Sequence, residues 1–118
     1  MLAIMTTAPG PSRGIPAMPG RGVPALRAAI AAHAPQLLAD FEANWRVKIA
    51  DTYDIGAGPA FLARWWGEYA LARDPELDHH VRDLEQRAAE CADPDKAKDP
   101  LEEASWIHHQ VASLGPGE

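Results

Sequence analysis

Phe61-Leu62-Ala63-Arg64-Trp65-Trp66-Gly67-Glu68-Tyr69-Ala70-Leu71-Ala72-Arg73 is the stretch on which the fold turns. Leu62, Trp65, Trp66 and Tyr69 recur at helical spacing on one broad stripe, and Arg64, Glu68 and Arg73 fall outside it. A buried aromatic removes roughly 150–250 Å² from water, so at about 25 cal/mol per Å² each tryptophan contributes ~4–6 kcal/mol gross. A stripe of that size requires apolar partners. The stretch therefore predicts the central helix of a small all-α domain.

Working outward, Pro35 opens a longer helix in which Leu38, Phe41, Trp45, Ile49, Thr52 and Tyr53 fall at spacings of three and four. Asp54-Ile55-Gly56-Ala57-Gly58-Pro59 ends it, with glycine supplying the positive φ of a helix exit and Pro59 starting the next helix. The aromatic stripes of the Trp45 and Trp65–Trp66 helices are expected to face each other. Asp74-Pro75 is an N-cap followed by a first-turn proline, and Leu77, Val81, Leu84, Ala88 and Cys91 give a helix over about 75–91. Residues 92–98 read as a charged linker. Asp99-Pro100-Leu101-Glu102 repeats the cap signal, and Leu101, Ala104, Ile107, Val111 and Leu114 form the last stripe before Gly115-Pro116. Upstream, Pro24 begins a short alanine-rich helix to about His33, with Leu26 and Ile30 on its apolar side. The expectation is a bundle of four to five helices over residues 24–114, with no strand and no internal repeat.

Residues 1–23 carry Pro9, Pro11, Pro16 and Pro19 with Gly10, Gly14, Gly20 and Gly22, and little apolar surface to offset the entropy of ordering. They are expected to be a disordered arm, as are residues 115–118. Charge is unevenly placed. Residues 1–39 contain no acid and three arginines, Arg13, Arg21 and Arg27, whereas the remainder carries seventeen acids against eight bases, within a net charge of −6. An acidic body disfavours non-specific nucleic-acid binding and suits a basic protein partner, because complementary fields steer encounter. The single cysteine, Cys91, rules out an intrachain disulfide and points to a reducing compartment. The apolar start, Met1 to Met5, is too short for a signal sequence, and no run approaches the ~20 residues of a membrane span. A cytoplasmic protein without membrane attachment is expected.

Phe41, Trp45-Arg46, Thr52-Tyr53-Asp54, Arg64-Trp65-Trp66 and Arg73-Asp74-Pro75-Glu76, in this order, resemble a family of short uncharacterised helical proteins of high-GC bacteria. The resemblance covers about residues 25–90. Some members of that family are encoded beside toxin–antitoxin pairs with a small basic ribonuclease toxin, so the resemblance implies an antitoxin-like, partner-binding role and carries over no catalytic residue.

Constellations that could carry chemistry are sparse. His79 and Asp83 lie one turn apart, with His80 beside them, and His108-His109 form a second pair, so a metal could be held if the two helices meet. Solvated surface histidines are the simpler reading. Adjacent histidines lie about 100° apart on a helix, and there is no Glu-x-x-His pair of the di-iron kind. Cys91 sits on an apolar stripe as an inert thiol would. Ser105 and Ser113 lack a strand–turn–helix setting, and Gly56-Ala57-Gly58 follows a helix and lacks the lysine of a P-loop. No catalytic residue, cofactor site or metal site is assigned.

The rival reading is a helix-turn-helix DNA-binding regulator, with the helix ending at Tyr53, the glycine-bearing turn, and the helix of Arg64 and Trp65 as its parts. The turn is longer than the usual three to four residues, and the second helix offers mainly Arg64 to bases. The preferred reading is a non-enzymatic protein–protein interaction module, antitoxin-like, binding a basic partner through whichever of Trp45, Arg64, Trp65, Trp66 and Trp106 remain exposed. At least two of the tryptophans are expected to be core. Homodimerisation through a spare apolar stripe, that of the C-terminal helix, is a further expectation.

Overall fold

The computed structural model describes residues 14–118. They form five α-helices, α1 (Val23–His33), α2 (Leu38–Trp45), α3 (Gly58–Ala72), α4 (Pro75–Glu90) and α5 (Pro94–Ala112), with no strand among the described residues. The all-α expectation holds. Short 3-10 turns at Pro35–Leu37 and Ile55–Ala57 precede α2 and α3.

Pro24 stands in the first turn of α1, where its missing N–H leaves nothing unpaired, and Leu26 and Ile30 are completely buried. The helix expected from Pro35 to Tyr53 is three pieces, because the backbone widens after α2 into a π-turn over Arg46–Ala50. Asp51 N–H donates to the Arg46 carbonyl at 2.8 Å, and Asp54 N–H to that of Ile49 at 3.2 Å. At 100° per residue a regular helix would turn Ile49 about 80° away from Phe41, and the wider turn cuts that drift. Both are buried. The residues beyond are carried off the stripe, so Thr52 and Tyr53 lie exposed where regular periodicity placed them inside.

The helix exit also differs from the reading. Tyr53 itself takes the positive φ, at 53°, ahead of the glycines. Gly56 and Gly58 lie in the 3-10 turn and at the start of α3, where no such conformation is needed.

On α3, Phe61, Trp65, Trp66 and Tyr69 are buried, with Leu62 half-buried beside them. Phe41 meets Phe61 edge-on at 5.0 Å between ring centres and Trp65 at 5.5 Å, and Trp45 meets Phe61 at 5.2 Å. The two aromatic stripes do face each other. Each buried indole finds an acceptor: Trp65 Nε1 donates to Asn44 Oδ1 and Trp66 Nε1 to the Leu114 carbonyl, both at 3.0 Å.

Asp74 caps α4 by accepting from Leu77 N–H at 3.2 Å, and Val81, Leu84 and Ala88 face the core. Cys91 is not on the buried stripe. It follows the last turn in extended backbone, half-buried. No charged linker separates α4 from α5, because Asp93-Pro94 caps the last helix six residues before the expected start, with the Asp93 carboxylate accepting from Asp95 N–H at 3.0 Å. Pro100 lies inside α5 and cannot donate to the Lys96 carbonyl. Ala104, Ile107 and Val111 are buried. The stripe expected to hold a second copy is therefore used within the chain.

Of the arm expected over residues 1–23, the first thirteen lie outside the described residues. The remainder is seated on the bundle. Met18 is buried, its carbonyl accepts from Gly117 N–H at 2.8 Å, and the Pro16 carbonyl accepts from Arg73 Nη1 at 2.8 Å. Arg21 stacks its guanidinium 4.6 Å from the centre of the Trp66 ring. An apolar anchor and two satisfied carbonyls hold this segment, and they hold residues 115–118 through Gly117 as well. No helix among the described residues is long and apolar enough to cross a membrane.

Candidate partner-binding surface

The five candidate residues separate. Trp65 and Trp66 are core side chains with no face left for a partner, which withdraws them from the surface and meets the expectation that at least two tryptophans are buried. Trp45 is half-buried and lines a groove of about 310 Å³ with Val23, Arg27, Phe41 and Arg46. Arg64 is exposed, stacked 4.9 Å from the centre of the Trp65 ring, beside a second groove lined by Asn44, Lys48 and Phe61. Trp106, on α5, is 62% exposed. It lies between the buried positions 104 and 107 and points away from both.

Charge divides with the fold. From Asp74 to Glu118, the α4–α5 hairpin with its flanks, twelve acids stand against four bases, a net −8. Residues 14–73 carry six bases and five acids, a net +1. The acidity read from the whole chain thus belongs to one hairpin, and Trp106 is its one strongly exposed aromatic among the described residues. Glu102, Glu103 and His109 lie within one turn of Trp106, all exposed.

Within the hairpin the histidines divide crosswise. His80 Nε2 lies 2.8 Å from Glu103 Oε2, and His108 Nε2 lies 3.2 Å from Glu85 Oε2. Each pair joins α4 to α5, bracketing in sequence the buried Val81–Leu84 and Ala104–Ile107 contacts. The histidine sets thus meet glutamates rather than one another, and Asp83 pairs with Arg87 at 3.4 Å. Among the described residues no three metal-ligating side chains converge. The pairs instead fasten the hairpin at its solvent edge.

Sequence reasoning missed a second exposed stretch. Val47 is 59% exposed, Tyr53 88% and Ile55 84%, within nine consecutive residues spanning the π-turn and the helix exit. Left-handed backbone at a bulky residue costs about 1–2 kcal/mol. Here it thrusts an aromatic into water. The legible signal was Val47, an apolar residue between Arg46 and Lys48 and off the buried stripe.

For the helix-turn-helix alternative, seven residues, 51–57, separate the π-turn from α3, against the usual three to four. The exposed side of α3 offers Pro59, Ala60, Ala63, Arg64 and Glu68, and the lone cation there already stacks on Trp65. Compared with known proteins, the chain matches no family model, no curated protein and no solved structure.

Proposed function

We propose that the protein is a non-enzymatic binding module whose α4–α5 hairpin docks on a basic protein partner, with Trp106 as the apolar anchor. One observation carries this reading: a net −8 confined to residues 74–118, with an indole 62% exposed in its midst. A single-signed field steers an oppositely charged partner and fixes its orientation, whereas affinity comes from a large side chain that loses its water on contact. Tryptophan flanked by Glu102 and Glu103 supplies both. The antitoxin-like form of this reading is a hairpin that covers a small basic toxin.

The test is co-purification from the native cells, with and without nuclease, of the wild type beside Trp106→Ala and Glu102→Lys. A stoichiometric basic protein that survives nuclease, is lost with Trp106→Ala, and is weakened by Glu102→Lys and by salt supports the proposal. Nucleic acid recovered with the wild type, or partners released by nuclease, favours the DNA-binding alternative. A partner indifferent to both substitutions places the interface elsewhere.

A further inference from the structure

The groove beside Arg64 differs in charge from every other concavity described above. It encloses about 250 Å³ and is lined by Asn44 and Lys48 from α2 and the π-turn, by Ala60, Phe61 and Arg64 from α3, and by Ala57 from the turn between them. Phe61, almost fully buried, and the two alanines make its lining apolar. No acid lines it. Lys48 and Arg64 are both exposed, and neither has an ion-pair partner among the described residues. The groove of Trp45, by contrast, holds Arg27 already paired with Glu42 at 2.6 Å.

Two of its polar groups are held in place by one buried indole. Arg64 lies over the Trp65 ring, 4.9 Å from its centre. Stacking uses the flat face of a guanidinium and leaves its N–H edge free to donate. Asn44 Oδ1 accepts from Trp65 Nε1 at 3.0 Å, so the other end of that amide, its two N–H donors, is spared for a ligand. Lys48 brings an ammonium to a turn, Gly56-Ala57-Gly58, that has no lysine of its own. Two unpaired cations and an amide donor, with no acid among them, match an oxyanion of double charge. A phosphate monoester carries about −1.5 to −2 at pH 7 on oxygens that accept hydrogen bonds strongly. The apolar lining suits a body attached to it, and a volume at the small end of ligand sites suits one ring rather than a larger molecule. We propose that this groove binds a small organic phosphate, its phosphoryl group between Lys48 and Arg64 and its apolar body against Phe61. The inference does not depend on what the hairpin binds.

Three probes separate charge from body: phenyl phosphate, phenylacetate with a similar ring but a single charge, and inorganic phosphate with no ring. Each is titrated into the ¹⁵N-labelled full chain, and amide resonances are followed. Phenyl phosphate should move the Asn44 side-chain amide and the backbone amides of Lys48, Ala60 and Arg64, and should bind at least about tenfold more tightly than either other probe. Lys48→Ala and Arg64→Ala, both at exposed sites, should each weaken it about tenfold, with far-ultraviolet circular dichroism confirming that the helices remain. Arg46→Ala removes the same charge from the neighbouring groove and should leave the affinity unchanged. Phenyl phosphate that leaves these resonances unmoved up to about 10 mM overturns the proposal. So do equal affinities for the three probes, or a loss with Arg46→Ala as large as that with Lys48→Ala.

Discussion

Trp66 Nε1 donates to the carbonyl oxygen of Leu114 at 3.0 Å, which ties the centre of α3 to the first turn beyond α5. Arg21 adds a longer bond to the same carbonyl, at 3.4 Å, while lying over the Trp66 ring. Three segments far apart in sequence meet on one indole. Replacing Trp66 by Phe keeps most of the buried surface but removes the donor, and should cost about 1–3 kcal/mol. Trp66→Ala should cost ~3–5 kcal/mol by emptying the core as well. Urea unfolding of the two variants separates the hydrogen bond from the packing.

Tyr69 is buried with its hydroxyl unpartnered among the described residues. Tyr69→Phe removes that unsatisfied group and should leave stability unchanged or raise it by about 1 kcal/mol. Chemical unfolding at neutral pH checks the direction.

Burial raises the Tyr69 phenol above its ordinary value of 10.0, with the Arg73 guanidinium pulling the other way. The folded chain therefore keeps this proton to higher pH than the unfolded chain. The resulting stability is complete below pH 10 and falls as pH climbs from there through the raised value. Thermal unfolding between neutral and strongly alkaline pH should show that decline, and Tyr69→Phe should flatten it.

The start of α5 can be located by its caps. Asp93→Ala removes the carboxylate that accepts from Asp95 N–H and should cost ~1 kcal/mol, whereas Asp99→Ala, inside the helix, should cost much less. Pro100→Ala restores a donor to the Lys96 carbonyl and relieves the ring, so it should stabilise by up to ~3 kcal/mol. A start at Pro100 would reverse the order of the two aspartates in denaturation midpoints.

Tyr53→Gly should stabilise the chain by roughly 1 kcal/mol, because glycine takes a φ of 53° without strain and an aromatic 88% exposed loses almost no packing. Urea unfolding checks the direction.

What the sequence made legible was whatever follows a regular period or a cap. The positions Leu26–Ile30, Val81–Leu84–Ala88 and Ala104–Ile107–Val111 are buried as read and Asp74-Pro75 caps α4 as read, whereas Leu101, read at the head of the last stripe, is 51% exposed. Trp106, off its stripe, is out in solvent. The misses come from two sources. Spacing arithmetic assumes 3.6 residues per turn, so a π-turn at Arg46–Ala50 misplaces every residue after it, Thr52 and Tyr53 first. Composition also outweighed chemistry at Asp93-Pro94, where a run of charged residues hid the same cap that was recognised at Asp74 and Asp99. The seating of residues 14–22 rests on single long-range contacts, Met18 to Gly117 and Arg73 to Pro16, and no local pattern reports those.

The backbone bond between Met18 and Gly117 closes the described chain into a ring. A cargo fused after Glu118 therefore emerges beside the segment that leads into α1, and a probe attached near residue 14 lands on the same side of the molecule. Labels at these two positions would share one neighbourhood, close enough for energy transfer or chemical cross-linking, and would part as soon as either end let go.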